Sequence, residues 1–102
     1  MTTVTQCRAA LAAANVGHDI RDEKVRRASR ELYEKLAYAR NQNEYTHTAR
    51  IELGRDLVEE GRRAEGLAIL RSLPASAGDF KVLADFFADR YEKTSNGQNK
   101  GK

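Results

Sequence analysis

Few residues in this chain are of types that could perform chemistry. They are one cysteine (Cys7), two histidines (His18 and His47) and two sets of closely spaced carboxylates, Asp56 with Glu59 and Glu60, and Asp85 with Asp89. A nucleophilic thiol needs a neighbouring base to become thiolate. Cys7 instead falls in line with Val4, Leu11 and Ala14 at helical spacing, which reads as a buried structural position. A zinc site wants His or Cys ligands close together, such as a pair four residues apart, and His18, His47 and Cys7 are scattered. Glycosidase-type chemistry needs two carboxylates facing a cleft with separated pKa values. The carboxylates here sit among arginines on the polar sides of amphipathic stretches. No Gly-x-Ser-x-Gly, phosphate-cradling loop or dinucleotide fingerprint is present. The residues therefore predict no enzyme, no metal and no cofactor, and a function exercised by binding.

The binding-type residue that stands out is arginine, 12 against 6 lysines. Its planar fork suits carboxylate or phosphate recognition. Arg21, Lys24, Arg26, Arg27 and Arg30 form one cluster, with Arg8 a candidate neighbour. Several have carboxylates four residues away (Glu23/Arg27, Arg27/Glu31, Arg30/Glu34), so a solvated, internally paired face is the competing reading. Arg62 and Arg63 form a second cluster, which a helix-turn-helix with Gly61 at the turn would carry into a DNA groove. Leu57, Glu60 and Glu65 fit that motif poorly. Tyr38, Ile51, Val58 and Phe86 are apolar residues beyond the needs of a core and suggest a groove. The candidate partner-binding residues are thus Arg21, Arg26, Arg27, Arg30, Tyr38, Arg62 and Arg63.

Charge placement tempers the pI of 9.2. Residues 1–92 hold 15 basic and 15 acidic side chains, and the excess of +3 comes from Lys93, Lys100 and Lys102. The body is dipolar rather than basic: residues 1–40 carry 8 basic and 5 acidic groups, residues 41–92 carry 7 and 10.

The elements expected to position these groups are all helices, about five: 3–15, 20–41, 44–60, 63–73 and 80–93. Thr3 with Gln6 makes a capping box, Asp19, Asn43 and Asp79 are N-cap candidates, Gly61 closes the third helix and Pro74 ends the fourth. Asn15-Val16-Gly17 reads as the stop of the first. The second helix shows an apolar stripe of Val25, Ala28, Leu32, Leu36 and Ala39. In the third, Tyr45, Ala49, Leu53 and Leu57 lie beside Ile51 and Val58, and in the fifth Phe80, Leu83, Phe87 and Tyr91 share a face. No segment alternates like a strand. The expectation is an all-α bundle or helical-hairpin array over residues 1–93, with a disordered basic tail at 94–102.

Residues 50–73 (RIELGRDLVEEGRRAEGLAILRSL) resemble a single tetratricopeptide repeat. Leu53-Gly54, Leu57, Gly61 and Glu65-Gly66-Leu67 occupy the places of the family's Leu-Gly, large apolar residue, turn glycine and Glu-Ala-Leu. Phe87, Ala88 and Tyr91 fall one 34-residue period later. Arg50 stands where the family prefers an aromatic, Gly66 replaces its alanine, no proline closes the repeat, and upstream Asp19 replaces an apolar residue. The resemblance implies two antiparallel helices and a concave face that grips a peptide or helix.

The expected function is a non-enzymatic protein–protein interaction module: an adaptor, regulator or inhibitor whose partner offers an acidic or helical surface. Small chains without chemistry and with a basic tail are common among phage and plasmid accessory proteins, so an inhibitor of a host defence complex, such as an anti-CRISPR, is one subtype. The alternative is a nucleic-acid-binding transcriptional regulator using an arginine-rich helix. The single cysteine and the lack of a signal-peptide pattern or apolar span predict a cytoplasmic protein that meets no membrane.

Overall fold

The computed structural model describes residues 3–18 and 20–100, with side chains described as far as Lys93. The protein is all-α: among the described residues there are five α-helices, one 3₁₀ turn and no strand. The helices are α1 (Val4–His18), α2 (Glu23–Ala37), α3 (Glu44–Glu59), α4 (Arg63–Leu70) and α5 (Asp79–Lys100), and the 3₁₀ turn is Ala75–Ala77. The side chains of the expected disordered tail, 94–102, lie outside the described residues. The chain divides into two compact units, Met1–Leu53 and Gly54–Lys102, whose boundary falls within α3.

In the first unit α1 starts as expected. The Gln6 N–H donates to Thr3 Oγ1 (3.1 Å) and the Thr3 N–H to Gln6 Oε1 (3.2 Å). The helix does not stop at Asn15 but runs to His18. Gly17 is helical and buried, and its role is close approach rather than termination. A Cβ there would lie 3.2 Å from Ser29 Cβ and 3.3 Å from Val25 Cγ1 on α2. Ala14 meets Ser29 and Gly17 meets Val25, so α1 and α2 are antiparallel.

Helix α2 is shorter than the predicted 20–41 at both ends. Asp22 is its N-cap, with Oδ1 accepting from the Lys24 (2.8 Å) and Val25 (3.3 Å) N–H groups. Asp19, the expected cap, lies outside the described residues. At the other end the Tyr38 N–H donates to Glu34 O (3.1 Å), and Arg50 of α3 donates its Nε–H to Ala37 O (2.8 Å). A cation on the last carbonyls suits the negative end of the helix dipole. The buried face also differs from the predicted stripe. Ser29, Tyr33, Leu36 and Ala37 are buried, Leu32 and Ala39 are half-buried, and Val25 and Ala28 are exposed. Two of the buried residues carry hydroxyls, and both are satisfied: Ser29 donates to Ala14 O and Tyr33 to Asn15 Oδ1 (2.6 Å).

Helix α3 is capped by Asn43, whose Oδ1 accepts from the Tyr45 (2.9 Å) and Thr46 (3.1 Å) N–H groups, while Thr46 Oγ1 accepts from the Asn43 N–H (2.8 Å). Thr46, His47, Ala49, Ile51 and Leu53 of the first unit are buried. In the second unit Leu57 is buried and Val58 half-buried. Gly61, at φ 90°, closes the helix: its N–H bonds Val58 O (3.1 Å) and the Arg62 N–H bonds Leu57 O (2.8 Å).

In the second unit α3 and α4 cross at a pair of glycines. A Cβ on Gly54 would sit 2.7 Å from Leu70 Cγ and 3.0 Å from Gly66 O; one on Gly66 would sit 2.5 Å from Gly54 O and 2.6 Å from Val58 Cγ2. This is backbone-to-backbone contact, closed by the fully buried Leu70. Helix α4 ends at Leu70, before the predicted 73, although Leu73 is still buried. Helix α5 turns Ala84 and Ala88 fully inward, with Phe80, Phe87 and Tyr91 half-buried beside them. Leu83, expected in that face, is exposed, because the inward centre is set by the alanines.

Candidate interaction surface

Of the groups of types that could do chemistry, Cys7 and His47 are buried and Asp85 and Asp89 are paired with cations. His18 ends α1 with its ring edge-on to Tyr33, centroids 5.8 Å apart. His47 is 9% exposed, and burial, aided by the Arg50 charge, holds its pKa below the usual histidine value. Asp85 and Asp89 serve Arg71, at 3.8 and 2.8 Å, and Asp85 also meets Lys81 at 3.1 Å. Among the described residues no three His, Cys, Asp or Glu side chains gather as a metal site.

The seven predicted binding residues fall in both units. In the first, Arg21 is exposed ahead of α2, Arg26 and Arg27 are exposed in its first two turns, and Arg30 is half-buried. Arg26 and Arg30 lie one turn apart, with Arg27 beside them, so the three make one contiguous patch. Of the ion pairs expected along α2, those of Arg27 with Glu23 and Glu31 do not close among the described residues. Among the described residues Lys24, Arg26 and Arg27 make no ion pair with the helix's carboxylates. Tyr38 is 69% exposed, but it stands at the far end of α2, roughly 18 Å along the axis from Arg26.

Three exposed apolar side chains stand where the sequence pattern gives no sign of them. Val16, Ile20 and Val25 are exposed around the turn joining α1 to α2. Val25, expected inward, is 38% exposed and stands at the edge of the α1–α2 contact, its Cγ1 3.3 Å from where a Cβ on Gly17 would lie.

In the second unit Arg62 donates to Glu65 through Nε (3.0 Å) and Nη2, and this contact holds the Glu65 carboxyl below its ordinary pKa. Arg63 is half-buried, with its Nε enclosed and lacking an acceptor. Neither presents an open guanidinium as the Arg26–Arg27 pair does. Of the residues proposed for an apolar groove, Ile51 is buried at 3% exposure and Val58 is half-buried, so neither is available; Tyr38 and Phe86 are exposed.

No helix among the described residues is long and apolar enough to cross a membrane. No protein family, curated protein or solved structure matches the chain.

Proposed function

We propose that the protein is a non-enzymatic interaction module, acting as adaptor, regulator or inhibitor of a larger complex in a reducing, cytoplasmic setting. Its arginine surface on α2 receives an acidic face of a protein partner. One observation carries this reading: Arg26 and Arg27 are exposed and make no ion pair among the described residues, on a helix whose opposite side is locked to α1. Exposed guanidiniums held on a rigid helix lose little entropy when they clamp carboxylates bidentately. Val25, exposed and next to Arg26 in the chain, supplies apolar contact that a charged patch alone lacks. The tetratricopeptide-like reading of residues 50–73 remains part of the proposal, supported by the tight Gly54–Gly66 crossing.

The test is affinity capture from native lysate with the intact chain and with R26E/R27E. The expected outcome is a protein partner whose recovery falls at least about tenfold in the variant, as for loss of a central charged contact. Unchanged recovery sinks the α2 surface. Recovery that disappears on nuclease treatment, with steeply salt-dependent binding to a generic duplex, transfers the function to nucleic-acid regulation.

A further inference from the structure

The outward face of α5 is independent of the arginine surface. Val82 is 68% exposed and Phe86 55%, one turn apart and opposite the buried Ala84 and Ala88. Along the same face Asp79 lies one end away from Phe86, and Arg90 and Lys93 lie at the other; all three are exposed. Phe86, Asp89, Arg90 and Lys93 line a surface depression of about 330 Å³. Their spacing is i, i+3, i+4, i+7, the four-residue hole into which a knob from a facing helix inserts.

We propose that this seam is a self-complementary docking surface whose occupant is α5 of a second copy of the chain, running antiparallel about Phe86. The charge order of the seam argues for that occupant. It is acidic at the N-terminal end and basic at the C-terminal end, so a two-fold antiparallel pairing sets Asp79 against the second copy's Lys93 at both ends. A parallel pairing would set like against like. In the antiparallel register the second copy's Val82 enters the depression at Arg90, and the two Phe86 rings meet on the axis. Asp89, the acidic group nearest the centre, is held by Arg71 at 2.8 Å, which limits repulsion there. An isologous contact of this kind closes at two copies. A contact built on one exposed aromatic and two charge pairs is a weak one, dissociating in roughly the micromolar-to-millimolar range.

Sedimentation equilibrium of the full chain across that range tests the proposal. The expected result is a monomer–dimer equilibrium that F86E weakens at least about tenfold, as a central apolar anchor should. D79K and K93E should each weaken it a few-fold, and D79K/K93E should restore it. Helical circular dichroism checks that each variant folds, and the charge reversals decide the question if F86E does not. A wild-type chain monomeric throughout overturns the proposal, as do single reversals without effect, which signify a parallel pairing or another surface.

Discussion

The two units solve the problem of joining helices in different ways. In the first, α1 and α2 are tied by side-chain hydroxyls, Ser29 to Ala14 O and Tyr33 to Asn15, and Arg50 closes the end of α2. In the second, α3 and α4 meet backbone to backbone at Gly54 and Gly66, and cations are consumed internally. Arg55 lies over the Phe87 ring at 4.4 Å, and Arg71 meets Asp85, Asp89 and Glu92. The first unit leaves Arg26 and Arg27 exposed, with no ion pair among the described residues. The second ties Arg55, Arg62 and Arg71 into contacts of its own. The contrast is between helices held by side-chain hydrogen bonds and helices held by backbone contact.

The most damaging single change should fall at the glycine crossing. In G66A the new Cβ would sit 2.5 Å from Gly54 O, a backbone atom that no side-chain rotation can move away. Overpacking of this kind costs about 1–3 kcal/mol or more. It outweighs the roughly 1 kcal/mol that alanine gains over glycine in a helix. Urea unfolding should show a net loss, with amide exchange in α4 accelerated first. A variant as stable as wild type would mean that α3 and α4 can part without cost, and the contrast between the units would fail.

A smaller effect should separate the units by pH. Both histidines of the chain lie in the first unit. The buried His47 resists protonation, so below the ordinary histidine pKa of about 6.5 the unfolded chain takes up a proton that the folded chain does not. Stability from this group is full above that pH and declines as pH falls toward the lower folded value. Amide exchange measured between about pH 6.5 and pH 5, a window bounded by the His and carboxylate values, should show loosening in the first unit. H47Q should remove the slope. Equal loosening in the second unit would contradict the assignment.

Much of the helix pattern was legible in the sequence because it rests on local rules. Thr3 with Gln6, Asn43 and Gly61 act where their types predict, since capping needs only neighbouring backbone. The faces were less legible. In α2 the buried stripe includes a serine and a tyrosine, which read as polar until their acceptors on α1 are known. In α5 the inward centre is two alanines, which periodicity ranks below the aromatics flanking them. Gly17 looked like a terminator because sequence shows a glycine's freedom but not its neighbours. The candidate site was half legible: Arg26 and Arg27 are exposed as expected, but the carboxylates four residues away do not hold them. Spacing makes such pairs possible, while side-chain entropy and solvent screening decide whether they form.

The least costly change, and the sharpest check on how the second unit uses its charges, is R71M. Arg71 touches three carboxylates, and hydrogen bonds to Asp89 and Glu92 raise its pKa further. Every side chain in the cluster is at least 38% exposed, so water and salt screen the attraction. The methionine keeps most of the apolar stem that lies along α5. Thermal melting should therefore shift less than for G66A. The difference from wild type should shrink as salt rises from low ionic strength to about 1 M, where the screening length is only some 3 Å. A large loss that salt does not reduce would show that Arg71 acts by packing. The second unit would then rest on apolar contact throughout, not on the internal use of its cations.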